Sequence, residues 1–147
     1  VTGIELWDHG DQLAQSLGRV KVLVCESCDD WPLELGRAVI SDGAAEVFLS
    51  HRPIAPMPYL LYLHELGHLA IQRGARGFRV FGQRPRLRDE AMAWRWALKH
   101  AAITPSPEEW AGIFERLQSY GNDRRYKRDH VFDRLLAEAE RNVHVQQ

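Results

Sequence analysis

Apolar and polar residues alternate with a changing period along this chain, and the changes mark its elements. Leu13 and Leu17 lie four apart and predict a short helix from about Gly10 to Leu17 that stops near Gly18. Val20 to Cys25 (VKVLVC) is β-branched and apolar until Asp29, Asp30 and Pro32 interrupt it, as expected of a strand leading into a loop. Arg37 to Ser41 and Ala45 to Ser50 predict a hairpin around Asp42-Gly43, a dipeptide suited to the left-handed turn conformation. Pro53, Pro56 and Pro58 oppose regular structure until about Tyr59, after which YLLYLHELGHLAIQRG is helical in length and apolar nearly all round. A helix without a polar face must be central.

Leu87 to about Ile103 forms a second strong helical pattern, broken by Thr104-Pro105-Ser106-Pro107. Ser106 as N-cap, Pro107 at the first helical position and Glu109 at the third then start another helix that runs to Gly121. A last helix covers about Asp123 to Asn142, with Val131, Leu135, Leu136 and Ala139 as its apolar stripe. The order of helix, three strands and four helices predicts an α+β fold. A small three-stranded antiparallel sheet packs on the central helix, and further helices follow.

At 147 residues and 45% hydrophobic, the chain has the size of one domain, residues 1–147, with a genuine core. No basic region followed by an apolar run opens it, and no stretch approaches the roughly 18 uninterrupted apolar residues of a membrane span, so a cytoplasmic protein with no membrane association is expected. Cys25 and Cys28 form a lone CxxC without a second ligand pair, which reads as two free thiols at a strand end.

The net charge of −1 hides a separation. Residues 1–50 hold nine acids and three bases, whereas residues 51–103 hold nine bases and three acids. Arg73, Arg76, Arg79, Arg84, Arg86 and Arg88 fall in one stretch without an acid, a candidate docking surface for an anionic partner, with Arg76, Arg79 and Arg84 as candidate substrate-binding residues.

The chemistry concentrates in residues 64–68, HELGH. On a helix His64 and His68 project from one face, close enough for both imidazoles to bind one Zn²⁺, and Glu65 stands one step round to act as a base on water. A hydrolytic zinc needs three protein ligands and an open position. HExxHxxGxxH is excluded because Ile71 stands for its glycine and Gly74 for its last histidine. Glu90, 22 residues beyond His68 on the next helix, is the candidate third ligand; Ala93 and Ala97 on its face would let the two helices approach closely. Asp89 and His100 are rivals for that role. Tyr62, His100, Tyr120, Tyr126 and His130 are candidate donors to an oxyanion, and His51 reads as a surface residue.

HELGH, a short connection and then DEAMAW, in a domain of this size with a small sheet before the motif, resembles the ImmA/IrrE family of zinc metallopeptidases over roughly residues 10–103. That resemblance implies a zincin-like domain with one Zn²⁺ per chain, His64, His68 and Glu90 as ligands, and Glu65 as catalytic acid and base. It further implies proteolysis of a protein such as a helix-turn-helix repressor, commonly in phages, mobile elements or stress responses. The expectation is a zinc endopeptidase of narrow specificity, with an extended substrate segment laid along Ala45 to Ser50 by β-augmentation. Direct nucleic-acid binding is not expected of it. The alternative is a non-catalytic zinc-containing protein that holds an acidic protein or nucleic acid through its arginine-rich segment.

Overall fold

The computed structural model describes residues 1–26, 36–41, 44–74 and 86–145. Helix α1 (Gly3–Ser16) begins well before Gly10 because Thr2 and Glu5 cap it reciprocally: the Glu5 N–H donates to the Thr2 hydroxyl at 3.2 Å and the Thr2 N–H to the Glu5 carboxylate at 2.6 Å. Leu6, Gly10 and Ala14 form its buried face. At Gly10 an added Cβ would lie 2.8 Å from the Tyr62 ring, so glycine permits the close approach.

Strand β1 (Val20–Val24) follows, then β2 (Gly36–Ser41) and β3 (Ala44–Leu49). The expected hairpin forms, with Ser41 opposite Ala44, while its turn residues Asp42 and Gly43 lie outside the described residues. The sheet is mixed rather than antiparallel, because β1 pairs with β3 in parallel and the order is β1-β3-β2. Its cause is topological: β2 itself serves as the return stroke between β1 and β3, so β1 runs with β3 and joins its far edge. Consequently β3 is paired on both sides. It has no free edge along Ala45 to Ser50 for a substrate strand, which corrects that expectation. Ala45, Val47 and Leu49 are buried on alternate positions of β3. Cys25, just after β1, is disulfide-bonded rather than a free thiol; Cys28 lies outside the described residues.

Helix α2 (Pro56–Gly74) is the centre of the core, and every residue from Tyr59 to Leu69 is buried. Pro56 and Pro58 fall in its first turn, where backbone N–H groups need no intrahelical partner, so they start the helix rather than delay it. Two tyrosines tie α2 to its neighbours. The Tyr62 hydroxyl donates to Asp11 at 2.7 Å, and the Tyr59 oxygen accepts from the Ala102 N–H at 2.8 Å with His9 Nδ1 2.7 Å away.

Helix α3 (Leu87–His100) packs on α2 over the most extensive helix contact of the fold. A Cβ on Gly67 would meet the Ala93 carbonyl oxygen at 2.5 Å, and Ala93 and Ala97 are fully buried. Glycine against alanine thus sets the spacing at the motif. Helix α4 (Pro107–Gly121) starts at the expected Ser106 cap. Helix α5 (His130–Val143) begins at Asp129, later than expected, because Asp123 accepts from the Arg125 backbone and guanidinium and holds 123–128 in turns. Phe132, Leu135 and Ala139 are its buried stripe; Val131 and Leu136 are only partly covered. No helix among the described residues is long and apolar enough to cross a membrane.

Candidate metal centre

The helical repeat places His64 and His68 one turn apart on α2, and their rings meet edge to face with centroids 4.6 Å apart. The two Nε2 atoms face each other at 3.2 Å. Across the α2/α3 contact that Gly67 and Ala93 allow, Glu90 reaches both rings: Oε2 lies 3.0 Å from His64 Nε2 and Oε1 lies 3.2 Å from His68 Nε2. Among the described residues, His64, His68 and Glu90 are the group of potential metal ligands whose donor atoms converge, all within 4.8 Å of one another.

These residues fit a tetrahedral zinc. Bonds of about 2.0–2.1 Å imply ligand-to-ligand edges of about 3.3–3.4 Å in a tetrahedron, close to the 3.2 Å between the two Nε2 atoms and the 3.0 Å from His64 Nε2 to Glu90 Oε2. Glu90 Oε2 is buried and faces His64 Nε2 at 3.0 Å, a position that suits an oxygen sharing a cation with that imidazole. His64, His68 and Glu90 are 4%, 8% and 3% exposed, so a charge placed here is shielded from water and the carboxylate needs a positive partner. The donor set of two imidazoles and one carboxylate also leaves a fourth position, as hydrolytic zinc requires.

Burial pushes the His64 imidazole down to about 4, against the pull of Glu90, which keeps it in the neutral, ligating form at pH 7. Burial alone would raise the Glu90 carboxyl, but His68 and His64 outweigh it and hold the group below the ordinary carboxylate range. Trp94 of α3 stacks on His64 with centroids 4.3 Å apart and fixes the plane of that ring.

Glu65 is buried beside the pair, 8% exposed, and is not one of the converging ligands. The rival ligands are engaged elsewhere: Asp89 accepts from the Arg86 N–H at 2.9 Å as the cap of α3, and His100 sets Nδ1 2.8 Å from the Trp96 carbonyl and stacks on that indole. Tyr62 is also placed away from the site by its bond to Asp11. His51 is exposed as expected, and His130 is exposed at the start of α5. Arg76, Arg79 and Arg84 lie outside the described residues.

One residue escaped the sequence reading. Arg116 of α4 interacts electrostatically with both Glu65 and His64, and with Tyr120 four residues on. Its signal was present, since Arg116 interrupts an apolar face made by Ile113, Leu117 and Tyr120, and a charge flanked in that way needs a partner. Gly112, one turn earlier, marks where α4 approaches α2, because a Cβ there would touch the Met57 side chain at 3.0 Å. No family model, curated protein or solved structure matches this chain.

Proposed function

We propose that this chain is a zinc-dependent endopeptidase of narrow specificity, one ion per chain. The observation that carries the proposal is the convergence of His64, His68 and Glu90 with Glu65 beside them but outside the ligand set. A purely structural metal does not need an adjacent base, whereas hydrolysis does. When bound, Zn²⁺ would supply Lewis acidity for activating water and polarising a carbonyl. His64, His68 and Glu90 would hold the ion; Glu65 would take a proton from the attacking water and return it to the amine nitrogen as the C–N bond breaks. Arg116 places positive charge within electrostatic reach of Glu65, and that charge would oppose the negative charge that develops on the carbonyl oxygen. With β3 paired on both sides, an extended substrate joins the outer edge of β2, the strand packed most extensively on α2.

The ImmA/IrrE likeness, a cytoplasmic setting and a regulatory protein such as a helix-turn-helix repressor as substrate belong to the same proposal. Support comes from HELGH, from DEAMAW and from the grouping of Glu90 with His64 and His68, a set that could hold a metal ion. Incubation of the zinc-loaded chain with a peptide library, read by mass spectrometry, tests it. Cleavage at a small set of sites is expected, and its loss in Glu65→Gln with zinc retained. Equal cleavage by Glu65→Gln contradicts the proposal.

A further inference from the structure

A second feature of the molecule is electrostatic. The first turn of α3 and the 123–128 segment between α4 and α5 enclose an open cleft of about 450 Å³, within the range of ligand-binding pockets. Its walls carry five cations, Arg86, Arg88, Arg125, Lys127 and Arg128, and one acid, Asp129, with the ring of Tyr126 among them. Three of the five come from the run RRYKR at 124–128, far in sequence from the arginines of 73–88. The fold brings Arg86 and Arg88 beside that run.

Four of these cations are held by nearby acids: Arg86 to Asp89 at 3.3 Å, Arg88 to Asp129 at 3.9 Å, Arg125 to Asp123 at 2.6 Å and Arg128 to Asp133 at 3.4 Å. All four guanidinium side chains remain at least half exposed, and exposed pairs of this kind exchange readily for another anion. Lys127 is exposed and has no ion-pair partner among the described residues.

The cleft and the candidate metal centre share helix α3. Leu87 lines the cleft from the first turn of α3, and Glu90, three residues on, belongs to the ligand group. On the other side Tyr126 meets Tyr120 edge to face at 6.2 Å, and Arg116, one turn before Tyr120 on α4, feels the charge of Glu65. From these juxtapositions we infer that the cleft is a specificity-determining docking site for an acidic segment of the protein substrate.

The charge pattern selects a peptide. Cations interleaved with Asp89, Asp123, Asp129 and Asp133 suit a few spaced carboxylates, whereas a continuous phosphate backbone would meet those acids and a chain of net charge −1. An extended substrate whose scissile bond lies at the candidate metal centre would carry its acidic side chains over the cleft from a neighbouring stretch of the same peptide. The course of the peptide rests on the endopeptidase reading; its binding to the cleft does not.

Fluorescence anisotropy on the Glu65→Gln chain separates the two. The probes are a labelled glutamate-rich peptide, its glutamine counterpart and a single-stranded oligonucleotide of equal charge. The glutamate peptide is expected to bind at least tenfold more tightly than the glutamine one, and to lose at least tenfold when Arg125, Lys127 and Arg128 are all changed to Glu. The milder triple change to Gln, expected to lose less, covers the case in which the reversed variant does not fold; Lys21→Glu, on β1, should change nothing. Equal binding of the two peptides, an unaffected triple variant or tighter binding of the oligonucleotide would each overturn the inference. Failure of the wild-type chain to cut any peptide, with charge-dependent binding intact, would remove the endopeptidase reading and leave the cleft.

Discussion

Glu90 shows how a single side chain can be identified before its surroundings are known. Its spacing from His68 and the small residues on its face pointed to a helix crossing, and the structure brings its two oxygens to 3.0 and 3.2 Å from the histidines. Arg116 was harder to find because its relation to Glu65 depends on the packing of α4, which no local spacing encodes. At this scale Glu90→Ala is expected to lower zinc affinity by about tenfold or more, while Asp89→Ala and His100→Ala leave it unchanged. Competition with a chromophoric chelator measures all three, and a selective loss in Asp89→Ala or His100→Ala would move the role to that residue. Arg116→Ala should slow cleavage of a peptide substrate by about a hundredfold and spare zinc content, if its charge faces the reacting carbonyl.

Among the elements, helices α2, α3 and α4 were legible because their apolar period and the Ser106-Pro107-Glu109 start are written locally. The Thr2 to Glu5 capping box of α1 was equally local and was overlooked. The direction of β1 was not legible at all, since alternation along a strand identifies its faces and not its neighbours. Gly67 is the element-scale test of the α2/α3 contact. Alanine would favour an isolated helix by about 1 kcal/mol. Here, however, its Cβ would collide with the Ala93 backbone oxygen at 2.5 Å, and overpacking of this kind costs about 1–3 kcal/mol. Gly67→Ala should therefore lower both the melting temperature and zinc affinity, because it pushes α3 and Glu90 away. A stabilised Gly67→Ala variant would show that the helices are not held at that distance.

For the molecule as a whole, the buried histidine couples stability to pH. His64 has an ordinary value near 6.5 when unfolded and about 4 when folded, so on acidification the unfolded chain takes up the proton first. The stability that the neutral, buried His64 contributes is complete above about pH 6.5 and is lost as the pH falls towards 4. The melting temperature of the zinc-free chain should fall between pH 7 and pH 5, and His64→Phe should reduce that fall; a flat profile in the wild type would contradict it. Added zinc should raise the melting temperature of the wild type and not of His68→Ala, since an ion that binds only the folded state at a hundred times its Kd contributes about 2.7 kcal/mol. X-ray absorption at the zinc edge of the purified chain reaches the metal centre most directly. One zinc per chain with two imidazole nitrogens and oxygen ligands at about 2.0–2.1 Å is expected; no bound zinc, or a sulfur ligand at about 2.3 Å, would contradict a centre built from His64, His68 and Glu90.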